Sequence, residues 1–168
     1  MASAVGRRRL AFVLSGALLV GGGVALVGAS FATWVHADLL GVGLRDGSGW
    51  NNVAGHLSFG PGVAAAGIAV IFMSIAALLD RRSRAALLLV LVALLAALAL
   101  AVVQVIDLNR TVTGVESHVG IGIWMMSVSI VVGLIVWPIA FVLAGRANVP
   151  GVAAPNPVAH GRATFAPS

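Results

Sequence analysis

The side chains able to do chemistry are few and lie far apart. Four histidines (His36, His56, His118 and His160) and five acids (Asp38, Asp46, Asp80, Asp107 and Glu116) supply the acid, base and metal-ligand inventory, with no cysteine, tyrosine or lysine beside them. His36-x-Asp38 and Glu116-x-His118 set imidazole near carboxylate, a donor mix that suits zinc or copper. A site built from them would draw on His36, Asp38, His56 and His118, which come from separate segments without His-x-x-x-His or Glu-x-x-His spacing. The sequence therefore predicts solvated loop residues there, with no metal and no cofactor. Thiol–disulfide enzymes need a pair of cysteines and are excluded. Phosphate loops, nucleophile elbows and HExxH motifs do not occur, so no catalytic residue is assigned and a non-enzymatic protein is expected.

The elements that would carry these residues are set by hydropathy. Of 168 residues, 60% are hydrophobic and 9% charged, where a soluble domain holds about 25% charged. Four apolar stretches, 10–28, 61–79, 85–106 and 119–144, contain no Arg, Asp, Glu or His. At about 1.5 Å per residue each can cross a hydrocarbon core of roughly 30 Å. Haem bundles need histidine inside the spans, and proton-coupled carriers usually need a carboxylate there; neither is present. The expected fold is an all-α membrane protein, a four-helix transmembrane bundle with a small β-containing outer loop. Residues 1–9 form an arginine-rich inner arm, 10–144 the membrane domain and 145–168 a Pro-rich inner tail expected to be disordered.

Charge orients the bundle. All ten basic residues are arginines; Arg7, Arg8, Arg9, Arg81, Arg82, Arg84, Arg146 and Arg162 fall on one side when the spans alternate, with only Asp80 among the acids. Arg45 and Arg110 lie opposite with the other four acids, which predicts both termini in the cytoplasm and a multi-pass plasma-membrane protein. The pI near 11.8 thus reports topology, and no nucleic-acid partner is expected. The first span could be mistaken for a cleaved leader, but it is longer than a leader core and is expected to be retained.

Packing residues are sought among the small side chains, because helices in lipid associate by close contact. Ala17, Gly21, Ala25 and Ala29 repeat at intervals of four on the first span. The third carries Ala93, Ala97 and Ala101, with Gln104 one turn further, an amide expected to face into the bundle. On the fourth span, Ser127 and Ser129 precede Pro138, which should kink the helix near Leu134. Thr113-Gly-Val-Glu116 matches a capping box for its start. Trp34, Trp50, Trp124 and Trp137 are expected as interfacial anchors. In the long outer loop, alternation over Val35–Leu39 and Leu40–Arg45 ends at Asp46-Gly47, a hairpin turn pair.

The arginine arm at Arg7–Arg9, the aromatic entry Thr33-Trp34 and the Gly120-Ile-Gly122-Ile-Trp124 opening of the last span resemble the small four-span integral membrane proteins of actinobacterial type. That resemblance covers about residues 7 to 146 and implies spans and inner termini, without catalytic or cofactor residues. A topological likeness to claudin-type proteins is weaker, because their two loop cysteines are missing. The expectation is an accessory or scaffold subunit of an envelope complex, partnered by the bilayer and by another membrane protein or itself. The alternative is a small oligomeric transporter or channel lined by Gln104, Ser127 and Ser129.

Overall fold

The computed structural model describes residues 4–38, 44–50, 58–80, 84–111 and 117–146. Four helices dominate: α1 (Ala4–Phe31), α2 (Gly60–Leu79), α3 (Arg84–Thr111) and α4 (Ile121–Arg146). All four are long and apolar enough to cross a membrane, which makes this a multi-pass membrane protein. Each helix packs on its sequence neighbours, and α4 closes the ring on α1. The chain runs up and down: Gly16 meets Leu78 and Gly23 meets Gly67 between α1 and α2, while Gly133 meets Leu94 between α4 and α3.

The seam follows from spacing. On α1 the buried positions Phe12, Gly16, Leu19, Gly23, Leu26 and Ser30 alternate steps of four and three, with Ser15 and Ala29 buried beside them. That alternation averages 3.5 residues and so stays on one face of a helix with about 3.6 per turn. At Gly23 the two backbones come together. A Cβ there would stand 2.8 Å from the Gly67 carbonyl oxygen, and one at Gly67 would stand 2.8 Å from that of Gly23. Only two glycines allow that approach, which brings dispersion contacts that lipid tails cannot match.

α1 therefore does not pack through the predicted stripe. Ala17 and Gly21 face away from the bundle, Ala25 is half-buried, and only Ala29 is buried; a Cβ on Gly21 would meet nothing within 4 Å. On α3, by contrast, Ala93, Ala97, Ala101 and Gln104 are all buried.

A three-stranded antiparallel sheet sits at the end of the bundle where α1 and α3 finish. Its strands are β1 (Thr33–Asp38), β2 (Leu44–Ser48) and β3 (Ser117–Val119), in the order β2-β1-β3. The arginines Arg7, Arg8, Arg9 and Arg84 occupy the opposite end and are exposed. One expectation changes here. Asp46-Gly47 is inside β2 rather than in a turn, with Asp46 paired to His36 and Gly47 to Val35. A ladder of five register pairs outweighs one dipeptide signal. The capping box Thr113-Gly-Val-Glu116 lies outside the described residues, and α4 begins at Ile121, after β3.

Candidate functional site at the sheet end

Trp34 holds the sheet onto the bundle. Only 2% of it is exposed, and its indole N–H donates to the Ala29 carbonyl at 2.6 Å. The chain makes room for the ring with glycine: a Cβ at Gly49 would stand 2.6 Å from it, and one at Gly122 would come closer still. Backbone bonds finish the junction. Gly120 N–H donates to the Trp34 carbonyl at 2.7 Å, and Gly60 N–H to the Gly49 carbonyl at 2.7 Å. The segment entering α4 is thus tied to the one leaving α1, and the start of α2 to the residue after β2, through groups that would otherwise lack partners in an apolar setting.

The other tryptophans divide by environment. Trp50 is 43% exposed, stacks on Phe31 with ring centroids 5.1 Å apart, and donates to Ser30 Oγ at 3.3 Å. Trp124 is 65% exposed on the first turn of α4, a position suited to an interface. Trp137 is half-buried and donates across the bundle to the Leu87 carbonyl at 2.6 Å, stacked on Phe141 at 5.2 Å. The Arg84 guanidinium lies over that same Phe141 ring, 5.8 Å from its centroid. Trp34 is therefore an internal clamp rather than an anchor at a lipid surface, and half-buried Trp137 ties α4 to α3. Their indole N–H groups find backbone acceptors inside the protein, which lets the rings be buried.

The strand register brings together residues that are far apart in sequence. His36, on the central strand, is the direct partner of Asp46 on one side and of His118 on the other. Directly opposed residues share a face of a sheet, and residues two apart on a strand share it as well. Asp38, paired with Leu44, thus belongs to the same face as His36, Asp46 and His118. Val35, Ala37, Arg45, Gly47, Ser117 and Val119 belong to the other. His56 lies outside the described residues. Spacing alone pairs His36 with Asp38 and leaves Asp46 apart, because the place of Asp46 depends on the strand register. Among the described residues, no group of three His, Asp or Glu is assembled as a metal cluster.

Inside the bundle the polar groups are spent locally. Ser127 Oγ donates to the Ile123 carbonyl at 2.8 Å and Ser129 Oγ to the Met125 carbonyl at 2.7 Å, each one turn back on α4. Ser15 and Ser30 bond the carbonyls of Phe12 and Val27 in the same manner. Gln104 is 4% exposed and its Oε1 has no hydrogen-bond partner; buried Ser74 Oγ has none either. Gln104 stands near the sheet end of α3, while Ser74 is near the arginine end of α2, so the two cannot form one polar patch.

No known protein family, curated protein or solved structure matches the chain.

Proposed function

We propose that this is a non-enzymatic plasma-membrane protein, with both termini cytoplasmic, that serves as an accessory or scaffold subunit of an envelope complex. The observation that carries this reading is the make-up of the bundle interior. Its core is a continuous cluster of Leu, Val, Ile, Ala, Met and Phe from all four helices. The serines named for a solute path in the alternative reading satisfy themselves on their own helix. A conduit needs polar groups arranged along its length, whereas a scaffold needs helices that meet directly. The arginine-rich end supports the cytoplasmic orientation by the positive-inside rule. Membership of α1 in the closed ring supports retention of the first span.

The test is affinity purification in mild detergent, with mass spectrometry of what co-elutes, alongside solute-flux assays on the purified protein in liposomes. The reading expects a stoichiometric membrane partner and no flux above empty vesicles. Robust flux through the isolated protein, lost in Gln104→Leu, would replace it with the transporter reading. Orientation is checked with an impermeant maleimide on intact cells: Ser48→Cys should label and Ser83→Cys should not. The absence of native cysteine keeps that background clean.

A further inference from the structure

We propose that the arginine end of the bundle binds an anionic phospholipid, with its headgroup on Arg84 and an acyl chain along the exposed face of α4. Charge at this end is one-sided. Arg7, Arg8, Arg9 and Arg84 are all exposed there, and the sequence sets a single acid, Asp80, on the same side. Two of the four stand where a cation is penalised. Arg7 is in the first turn of α1 and Arg84 opens α3, at the positive ends of their helix dipoles, with no acid in either first turn. The positive-inside rule counts basic residues near the span ends and is indifferent to this placement, so topology alone does not account for it. An anion at this end offsets the arginines and the dipoles together.

α4 is the element between the two groups of arginines. It packs on both α1 and α3, so its end is flanked by Arg7, Arg8 and Arg9 on one side and by Arg84 on the other. The Arg84 guanidinium lies over the Phe141 ring, which stacks on Trp137, whose N–H is fixed to the Leu87 carbonyl. Attraction to the ring restrains a long side chain before any ligand arrives, and the guanidinium keeps N–H donors for the two free oxygens of a phosphodiester. Beside Phe141, α4 shows a strip of apolar residues: Ile135, Ile139 and Val142, at steps of four and three, are each more than half exposed. Headgroup and chain of one lipid thus meet charge and apolar surface in the right order. A zwitterionic headgroup adds an ammonium that the arginines repel, so the surface selects a net negative charge. The site belongs to this one end of the chain and is independent of the scaffold reading.

The test exploits the absence of native cysteine. The full chain carries bimane on Ile139→Cys, near the arginine end, or on Val128→Cys, exposed on the same helix toward the sheet end. It is reconstituted in phosphatidylcholine vesicles in which about one lipid in ten is phosphatidylglycerol or phosphatidylcholine with brominated chains, which quench the dye on contact. At position 139, quenching should show phosphatidylglycerol enriched over phosphatidylcholine at least about fivefold, the factor that one arginine near an anionic surface is worth. Position 128 should show no enrichment, and molar salt should suppress that at 139. Arg84→Ala should lower the enrichment about fivefold. Phe141→Leu, which keeps every charge but frees the guanidinium, should lower it about twofold. Equal quenching by the two lipids at 139 would overturn the proposal, as would enrichment undiminished in Arg84→Ala or indifferent to salt. Should Arg84→Ala fail to insert, Phe141→Leu decides, and enrichment unchanged there overturns the assignment. Loss of the enrichment on adding millimolar inorganic phosphate would make this a site for soluble anions and would overturn the lipid as its occupant.

Discussion

Helices α1 and α3 carry the same device and use it differently. Both repeat small residues at intervals of four, yet Ala93, Ala97 and Ala101 on α3 are buried while Ala17 and Gly21 on α1 are exposed. Geometry accounts for it. Each residue turns the helix by about 100°, so a step of four overshoots a full turn by about 40°. Three such steps, from Ala17 to Ala29, rotate the stripe by about 120° and carry it from the outer face into the seam. On α3 the series runs four, four and three before reaching Gln104, and the final short step returns it to within about 20° of its start. A small-residue stripe marks a packing face only if steps of three offset the drift from steps of four.

The comparison is broken most severely at the true seam of α1. Gly23→Leu would drive a side chain into the Gly67 carbonyl, which is backbone and cannot move aside, so folded protein should disappear from the membrane fraction on size-exclusion analysis. Gly21→Leu, two residues away, should leave the elution profile unchanged because its Cβ meets nothing. Next in size is Trp34→Ala. Loss of a buried ring and of its bond to Ala29 should cost about 3–5 kcal/mol. Thermal unfolding in detergent would register it, and amide exchange at Gly120, whose N–H is held by Trp34, should accelerate. Gln104→Leu sharpens the α3 side of the comparison and should have the smallest effect. Its Oε1 is buried without a partner, so an apolar replacement of similar volume should leave the melting temperature unchanged or raise it slightly. A large drop would show that Gln104 is interhelical glue.

Hydropathy made the spans legible because it is a local property. The first three apolar stretches fall within α1 to α3, and the helices extend past them at most ends: α1 starts at Ala4 and α3 runs to Thr111; the fourth, 119–144, begins two residues too early, because Val119 closes β3 and α4 starts at Ile121. Helical hydrogen bonds continue into the polar flanks, which composition alone does not register. The sheet end was less legible because its pairings are non-local. β3 is three residues long, and nothing within Ser117–Val119 reveals that it joins a strand some eighty positions earlier. Trp34 was misread because an aromatic residue at a span end has two uses, and the sequence shows only the position. A signal was nevertheless present. Gly49 and Gly122 supply the steric room that the buried Trp34 ring requires, while Gly60 and Gly120 let backbones approach closely at the same end of the bundle. The metal-ligand types were visible too, but Asp46 joins His36 only through a register that the Asp46-Gly47 turn signal contradicted.

The packing scheme and the scaffold role rest on one claim: α1 turns its small-residue stripe away from the bundle, and the interior it closes is dry. The most direct test is an accessibility profile in liposomes, with a spin label moved along α1 from Ala17 to Leu26, omitting Gly23, and relaxed in turn by oxygen and by a water-soluble nickel chelate. Oxygen accessibility should rise and fall with the helical period, high at Ala17, Leu18, Gly21 and Val24 and low at Leu19 and Leu26, while the chelate reaches none of these positions. Maxima at Leu19 and Leu26 would put the stripe in the seam, and chelate access at those two positions would reveal a water-filled path; either result would contradict the account.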